Sequence, residues 1–185
     1  MSLTSDSILA SAAPLFEEKG YHGTSMSDLA EACDLTKAAL YHHFRDKESL
    51  FLALLERGLL CLETELAELE SRADALDAKP LLTEIVKILA NPPEEARLAM
   101  RLAGQDLTHL SQPVRDAFTA DYRMRFPIRV GKLLAKTGLR PDLEPSFATM
   151  ALMGLASSAQ RRRPMPHDSP AKIADLFARG ALANP

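Results

Sequence analysis

Residues 25–47, SMSDLAEACDLTKAALYHHFRDK, read as two short helices separated by a tight turn, with a third helix opening at the end. Ser25 is placed to cap the first, with Asp28 three residues on as the acid of a capping box, and Leu29, Ala30 and Cys33 give that helix one apolar face. Asp34 falls where the chain must reverse. It is among the few non-glycine types that tolerate the left-handed backbone common at such a reversal. Thr36 then caps a second short helix whose Leu40 and Phe44, four apart, share the buried side. Lys37, Ala38, Tyr41 and His42 are left facing outward.

A short exposed helix held against a partner by a turn of three to four residues is a helix-turn-helix, and such a helix fits the major groove of DNA. The side chains suit that place. Ala38 and Ala39 are small enough for the backbone to come close, Lys37 reaches the acceptors of a guanine edge, and Thr36 and Tyr41 can donate to phosphates. Asp46 and Lys47 open the next helix, whose N-terminal amides are a further place for phosphate.

Composition by itself argues the other way. The chain carries a net charge of -3, and residues 1–50 hold four lysines and arginines against eight carboxylates, a local net of -4. Binding to a polyanion must therefore depend on where the charges lie, with affinity that falls steeply with salt. With 46% hydrophobic but only 5% aromatic residues and no strand pattern, the 185 residues favour helices throughout. Cys33 and Cys61 stand on predicted helices without metal spacing, as small apolar residues of a reducing cytoplasm. The N-terminus shows no basic region followed by an apolar run, and no apolar run is long enough for a membrane, so neither a targeting segment nor a membrane partner is expected.

The flanking chain extends the helical reading. Residues 4–19 form a helix with Ile8, Leu9, Ala12, Leu15 and Phe16 on one side, ended by Gly20, which completes a three-helix head. From Lys47, leucines from Leu50 to Leu76 mark a helix of about 28 residues, a connecting rod roughly 40 Å long. Residues 80–90 form the next, stopped by Asn91-Pro92-Pro93, and another follows from Glu94. Residues 114–137 read as one long helix bent at Pro127 and closed by Gly138. Residues 147–159, FATMALMGLASSA, are apolar or small on every side, with Ala151, Gly154 and Ser158 as a face on which a second copy can pack. Arg161 to His167 read as a solvated helix end, and Ser169 and Pro170 start a last helix with Ile173, Leu176, Phe177 and Ala181.

At GYHGTSMSDLAEACDLTKAALYHHFRDKESL, residues 20–50, the sequence resembles the TetR/AcrR transcriptional regulators: a Gly-Tyr and Thr-Ser entry, the helix-turn-helix, Leu-Tyr-X-X-Phe, and Lys-Glu-X-Leu opening a long helix. Two positions depart from the pattern, Asp34 for the usual turn glycine and Ala38 for the usual glycine of the recognition helix. The resemblance implies an all-α protein of about nine helices, with a DNA-binding head over residues 1–46 and a ligand-binding and dimerisation bundle over 47–185. It implies that Thr24, Ser25, Thr36, Tyr41, His42 and Lys47 touch phosphates while Lys37, Ala38 and Ala39 approach bases. It also implies a homodimer paired through the last two long helices, on a pseudo-palindromic double-stranded operator. An unknown small effector would sit among the helices behind the head, which here supply Leu62, Leu66, Met100, Phe118, Tyr122 and Phe126 as walls and Arg101 and Gln105 as polar contacts, with Arg97, His109 and Arg123 as further candidates.

The expected function is a sequence-specific transcriptional regulator, a repressor released by a mainly apolar effector. The competing reading is a helical protein-interaction module that does not bind DNA. Nothing in the chain sets out catalysis: there is no glycine-rich phosphate loop, no nucleophile elbow and no His/Cys cluster at metal spacing, so no enzyme activity, metal or cofactor is expected.

Overall fold

The computed structural model describes residues 4–160, Pro166 and residues 168–183. The arginine-rich stretch read as a solvated helix end lies, Pro166 apart, outside them. Among the described residues there are ten α-helices, two 3₁₀ turns and one isolated antiparallel bridge, Leu139 with Leu182. The all-α expectation holds.

The first compact unit combines residues 4–61 with Glu94–Thr119. It holds α1 (Ser5–Gly23), α2 (Met26–Ala32), α3 (Lys37–His43), the first part of α4 (Lys47–Arg72), α6 (Glu94–Asp106) and the start of α7 (Gln112–Arg125). Thr4 caps α1, and Gly20 breaks its regular run with φ 70°, as the sequence requires of a glycine there. Phe16, Leu29, Leu40, Leu50 and Phe51 are fully buried, with the rings of Phe16 and Phe51 edge-to-face at 5.2 Å. Each such side chain contributes roughly 1.5–3 kcal/mol. On α4, Gly58 lets α6 approach closely: a Cβ there would overlap Ala99 Cβ and lie 2.8 Å from the Glu95 carbonyl oxygen.

The second unit combines Leu62–Pro93 with residues 120–183. It holds the rest of α4, α5 (Ala78–Ala90), the end of α7, α8 (Pro127–Ala135), α9 (Pro145–Gln160) and α10 (Ser169–Ala181). Its core is mainly aliphatic, with Leu66, Leu69, Leu81, Leu82, Ile85, Val130 and Leu152 buried, as is Phe126. Arg125 reaches Glu63 at 2.5 Å and Arg129 reaches Glu70 at 2.6 Å, tying α7 and α8 to α4.

Three boundaries differ from the sequence reading. The helix expected over 114–137 is two, α7 and α8, because the ring of Pro127 drives Phe126 out of the helical region to φ -124°, ψ -75°, and Pro127 becomes the first residue of the next helix. The rod ends at Arg72 after 26 residues and passes into a 3₁₀ turn over Ala73–Ala75. Helix α5 opens at Ala78, two residues before Pro80, since a proline within the first turn forfeits no helical hydrogen bond.

Candidate nucleic-acid interface

The α2–α3 corner is built by local hydrogen bonds that the sequence specifies. Ser25 Oγ accepts from Asp28 N at 3.2 Å, and Asp28 Oδ2 accepts from Ser25 N at 2.8 Å, completing the capping box. These bonds hold the Asp28 carboxyl below the usual carboxylate range, the Ser25 hydroxyl contributing most. Asp34 turns the chain with φ 53°, and Leu35 N donates back to Ala30 O at 2.9 Å. Thr36 Oγ1 then accepts from Ala39 N at 3.1 Å and starts α3. Every cap and the left-handed residue fall where the sequence puts them.

Helix α3 is buried along Leu40, continued by Phe44 after its last turn. Thr36, Lys37, Ala38, Tyr41 and His42 are exposed, Tyr41 to 45%, and Ala39 is half-buried beside them. The exposed face of α3 thus carries one lysine and, at its end, the imidazole of His42, with no carboxylate, and His43 is half-buried. The acids of the corner are elsewhere: Asp28 in the capping box, Asp34 in the turn, and Asp46 on Ser49 N at 2.7 Å and Arg45 at 2.9 Å. Glu31 stays exposed on α2, so it is the α3 face, not the corner as a whole, that is free of carboxylates.

Two of the expected phosphate contacts have inward duties. Thr24 is 1% exposed, and its hydroxyl donates to Gly20 O at 2.8 Å. Lys47 Nζ donates to Tyr21 O at 2.6 Å and Thr24 O at 2.8 Å, and lies 4.3 Å from the centre of the Tyr21 ring. Burial pulls the Lys47 pKa down. At the amide end of α4, Asp46 caps the helix with its own carboxylate, which accepts from Ser49 N at 2.7 Å. Thr24 and Lys47 therefore hold the corner that aims α2 and α3.

Sequence reasoning missed the rest of this clamp. Asp106, buried at the end of α6, accepts from Tyr21 N at 3.3 Å, and Glu48 accepts from Ser111 N at 2.5 Å. His109 stacks on Tyr21 and meets His22 edge-on at 4.1 Å. An acid in the last turn of a helix opposes the helix dipole, and that was the available signal for a tertiary role of Asp106.

With this geometry in place, comparison with known proteins is decisive. Residues 8–54 match the family model described as bacterial regulatory proteins, tetR family. The negative transcriptional regulator IcaR of the biofilm operon icaADBC in Staphylococcus aureus (strain Newman) is 46% identical over 46 residues, which spans 25% of this chain and 25% of IcaR. The crystal structure of the TetR family transcriptional regulator PfmR from Thermus thermophilus is similar along its length: 30% identity, 93% of this chain, 97% of PfmR, TM-score 0.75. The chain belongs to the TetR family of transcriptional regulators. The same fold recurs in AibR, a structure containing isovaleryl coenzyme A and operator DNA, at 22% identity over 95% of this chain and 96% of AibR, TM-score 0.70.

The residues expected to line an effector site in this TetR-family chain are divided between the two units. In the first, Arg101 pairs with Glu17 at 2.5 Å, Phe118 is buried, Met100 is half-buried and Gln105 is exposed. In the second, Leu62, Leu66 and Phe126 are core residues, Tyr122 lies 6.0 Å from Phe126 between ring centres, and burial pushes its phenol pKa up.

Proposed function

We propose that this TetR-family chain binds a pseudo-palindromic DNA operator as a homodimer, represses from it, and is released by a small, mainly apolar effector. The observation that carries the DNA-binding part is the α3 surface: a helix capped on Thr36, bearing Lys37, Ala38, Ala39, Tyr41 and His42 outward and no carboxylate among them. Lys37 would read a base edge, Ala38 and Ala39 would admit the backbone, and Ser25, Thr36, Tyr41 and His42 would fix phosphates. Thr24 and Lys47 would act through the corner they hold.

The division of labour would follow the chain, with residues 1–46 on DNA and 47–185 serving effector and partner. The dimer reading rests on α9 and α10, where Phe147, Met150, Leu155 and Leu176 are exposed, more apolar surface than one subunit covers by itself. Two heads held about 34 Å apart would meet successive major grooves on one face of the duplex. Repression is favoured by the match to the negative regulator IcaR, and the effector by AibR, whose structure holds an acyl coenzyme A. Among the described residues no helix is long and apolar enough to cross a membrane, in keeping with a regulator that meets DNA in the cytoplasm.

The test is selection of bound duplexes from a random library at low salt without added ligand. Enrichment of one two-fold-related sequence, with affinity falling log-linearly as salt rises, is the expected result. No enrichment, together with salt-indifferent capture of a protein, would replace this reading with that of an interaction module.

A further inference from the structure

Within the second unit, α8, α9 and the end of α7 line an open cleft of about 710 Å³, in the size range of small-molecule sites. Pro127, Ile128 and Ala135 line it from α8, and Pro145, Met150 and Met153 from α9. Gly131 and Thr149 face each other where the helices come close, for a Cβ on Gly131 would lie 3.1 Å from Thr149 Oγ1. An apolar slot of this size is not by itself a site for anything in particular. Its two cations make the difference.

Arg123, in the last turn of α7, and Lys132, on α8, both line the cleft. The other cations of these helices are engaged: Arg115 with Asp116, Arg125 with Asp121 and Glu63, Arg129 with Glu70 and Glu63. Lys136, just past α8, pairs with Asp74. Among the described residues, Arg123 and Lys132 have no carboxylate within ion-pair distance. The acids nearest in sequence or field are committed: Asp121 to Arg125, Glu144 to the Ser146 hydroxyl at 2.8 Å, and Glu70, which feels Lys132, to both nitrogens of the Arg129 fork. Two cations outside ion-pair distance of any described carboxylate, at the edge of an apolar slot, are complementary to an anionic head on an apolar tail, and the planar fork of Arg123 suits a carboxylate.

We propose that the α8–α9 cleft binds an amphipathic carboxylate, its tail between Ile128, Met150 and Met153 and its head on Arg123 and Lys132. This rests on the regulator reading and gives its effector a place and a class. It also supplies a route to the DNA. Met150, 64% exposed, belongs both to the cleft and to the apolar face of α9 proposed to pair with a second copy. A tail lodged between α8 and α9 would displace the helix that sets the spacing of the two heads, to the extent that it binds the displaced state better.

The experiment is calorimetric titration of the full chain with dodecanoate and, as its uncharged counterpart, dodecanol, run alongside duplex binding. The expected result is saturable dodecanoate binding at one site per chain. Arg123→Glu with Lys132→Glu, both at exposed positions, would weaken it about tenfold or more while leaving dodecanol unchanged. Ala135→Trp, which fills the slot from its exposed side, would abolish binding of both. Dodecanoate binding that ignores the charge reversals would overturn the proposal, as would no binding by a chain that still selects a duplex. Dissociation of a dimer by Ala135→Trp would also overturn it, by showing that a second copy occupies the cleft. If the chain selects no duplex at all, the regulator reading fails, and the titration still decides whether the cleft takes a carboxylate.

Discussion

Helices α3 and α9 each leave one face exposed, and the two faces are made from opposite chemistry. On α3 the exposed groups are hydroxyls, an ammonium, an imidazole and small methyls, which water satisfies at little cost. On α9 they are Phe147, Met150 and Leu155, for which each Å² left in water forgoes about 25 cal/mol. A surface of the first kind suits a partner that comes and goes. The second suits one that stays. On the proposed reading, the contrast would let one small chain hold a second copy tightly and DNA reversibly, with salt acting mainly on the second association.

The largest effect should come from attacking the permanent face. Phe147→Asp with Leu155→Asp places two carboxylates in what would become a dry interface, while neither residue belongs to the buried core of its own subunit. Sedimentation should then find a monomer with unchanged helical circular dichroism. Operator affinity should fall roughly a hundredfold, since each head must bind without the effective concentration that its twin provides. A dimer that survives both substitutions would assign α9 some other partner.

On the reversible face, Lys37→Ala should cost about 1–3 kcal/mol on the preferred operator and flatten the preference at one base position, if the ammonium reads a base edge. Equal weakening on every sequence would move Lys37 to the phosphates. Lys47→Met makes a sharper contrast, because the structure gives that ammonium to Tyr21 O and Thr24 O. Its loss should lower stability by about 1–2 kcal/mol, two carbonyls losing a charged donor. The slope of log affinity against log salt should stay as it was. A slope shallower by about 0.9 would show that Lys47 reaches a phosphate after all.

What the sequence made legible follows the range of the interactions involved. Ser25, Asp28, Asp34, Thr36 and Leu40 act on neighbours within a few residues, so residue type and spacing determine the α2–α3 corner almost unaided, and the structure places each as read. Pro127 was recognised as a disturbance but read as a bend, because whether a proline kinks a helix or divides it depends on what the preceding residue can pack against. Phe126 is buried in the core of the second unit in a non-helical conformation, which periodicity does not reveal. Asp106 on Tyr21 joins residues 85 apart, and no local rule reaches that far. The α8–α9 cleft was invisible for a further reason. Empty space is what side chains leave behind, and Arg123, one polar candidate among several in the sequence, stands apart from the rest only when its neighbours are seen to be paired with other groups.

The smallest effect concerns the carboxylates that brace the reversible face. Asp28 is held below the usual range chiefly by the Ser25 hydroxyl, and Asp46 chiefly by the Ser49 backbone N–H. A carboxyl whose pKa is depressed in the folded state adds stability that is complete above its unfolded value, near about 4, and is lost as pH falls through the lower folded value. The melting temperature should therefore decline as the medium is acidified below about pH 4, where protonation empties the capping box and the α4 cap. Asp28→Asn and Asp46→Asn should each begin lower at neutral pH and decline less steeply in acid, by less than the Lys47 change because both carboxylates lie near solvent. Corresponding substitutions at Asp142 or Asp168, whose carboxyls are lowered by Arg140 and Lys172 in the second unit, should leave duplex selection untouched.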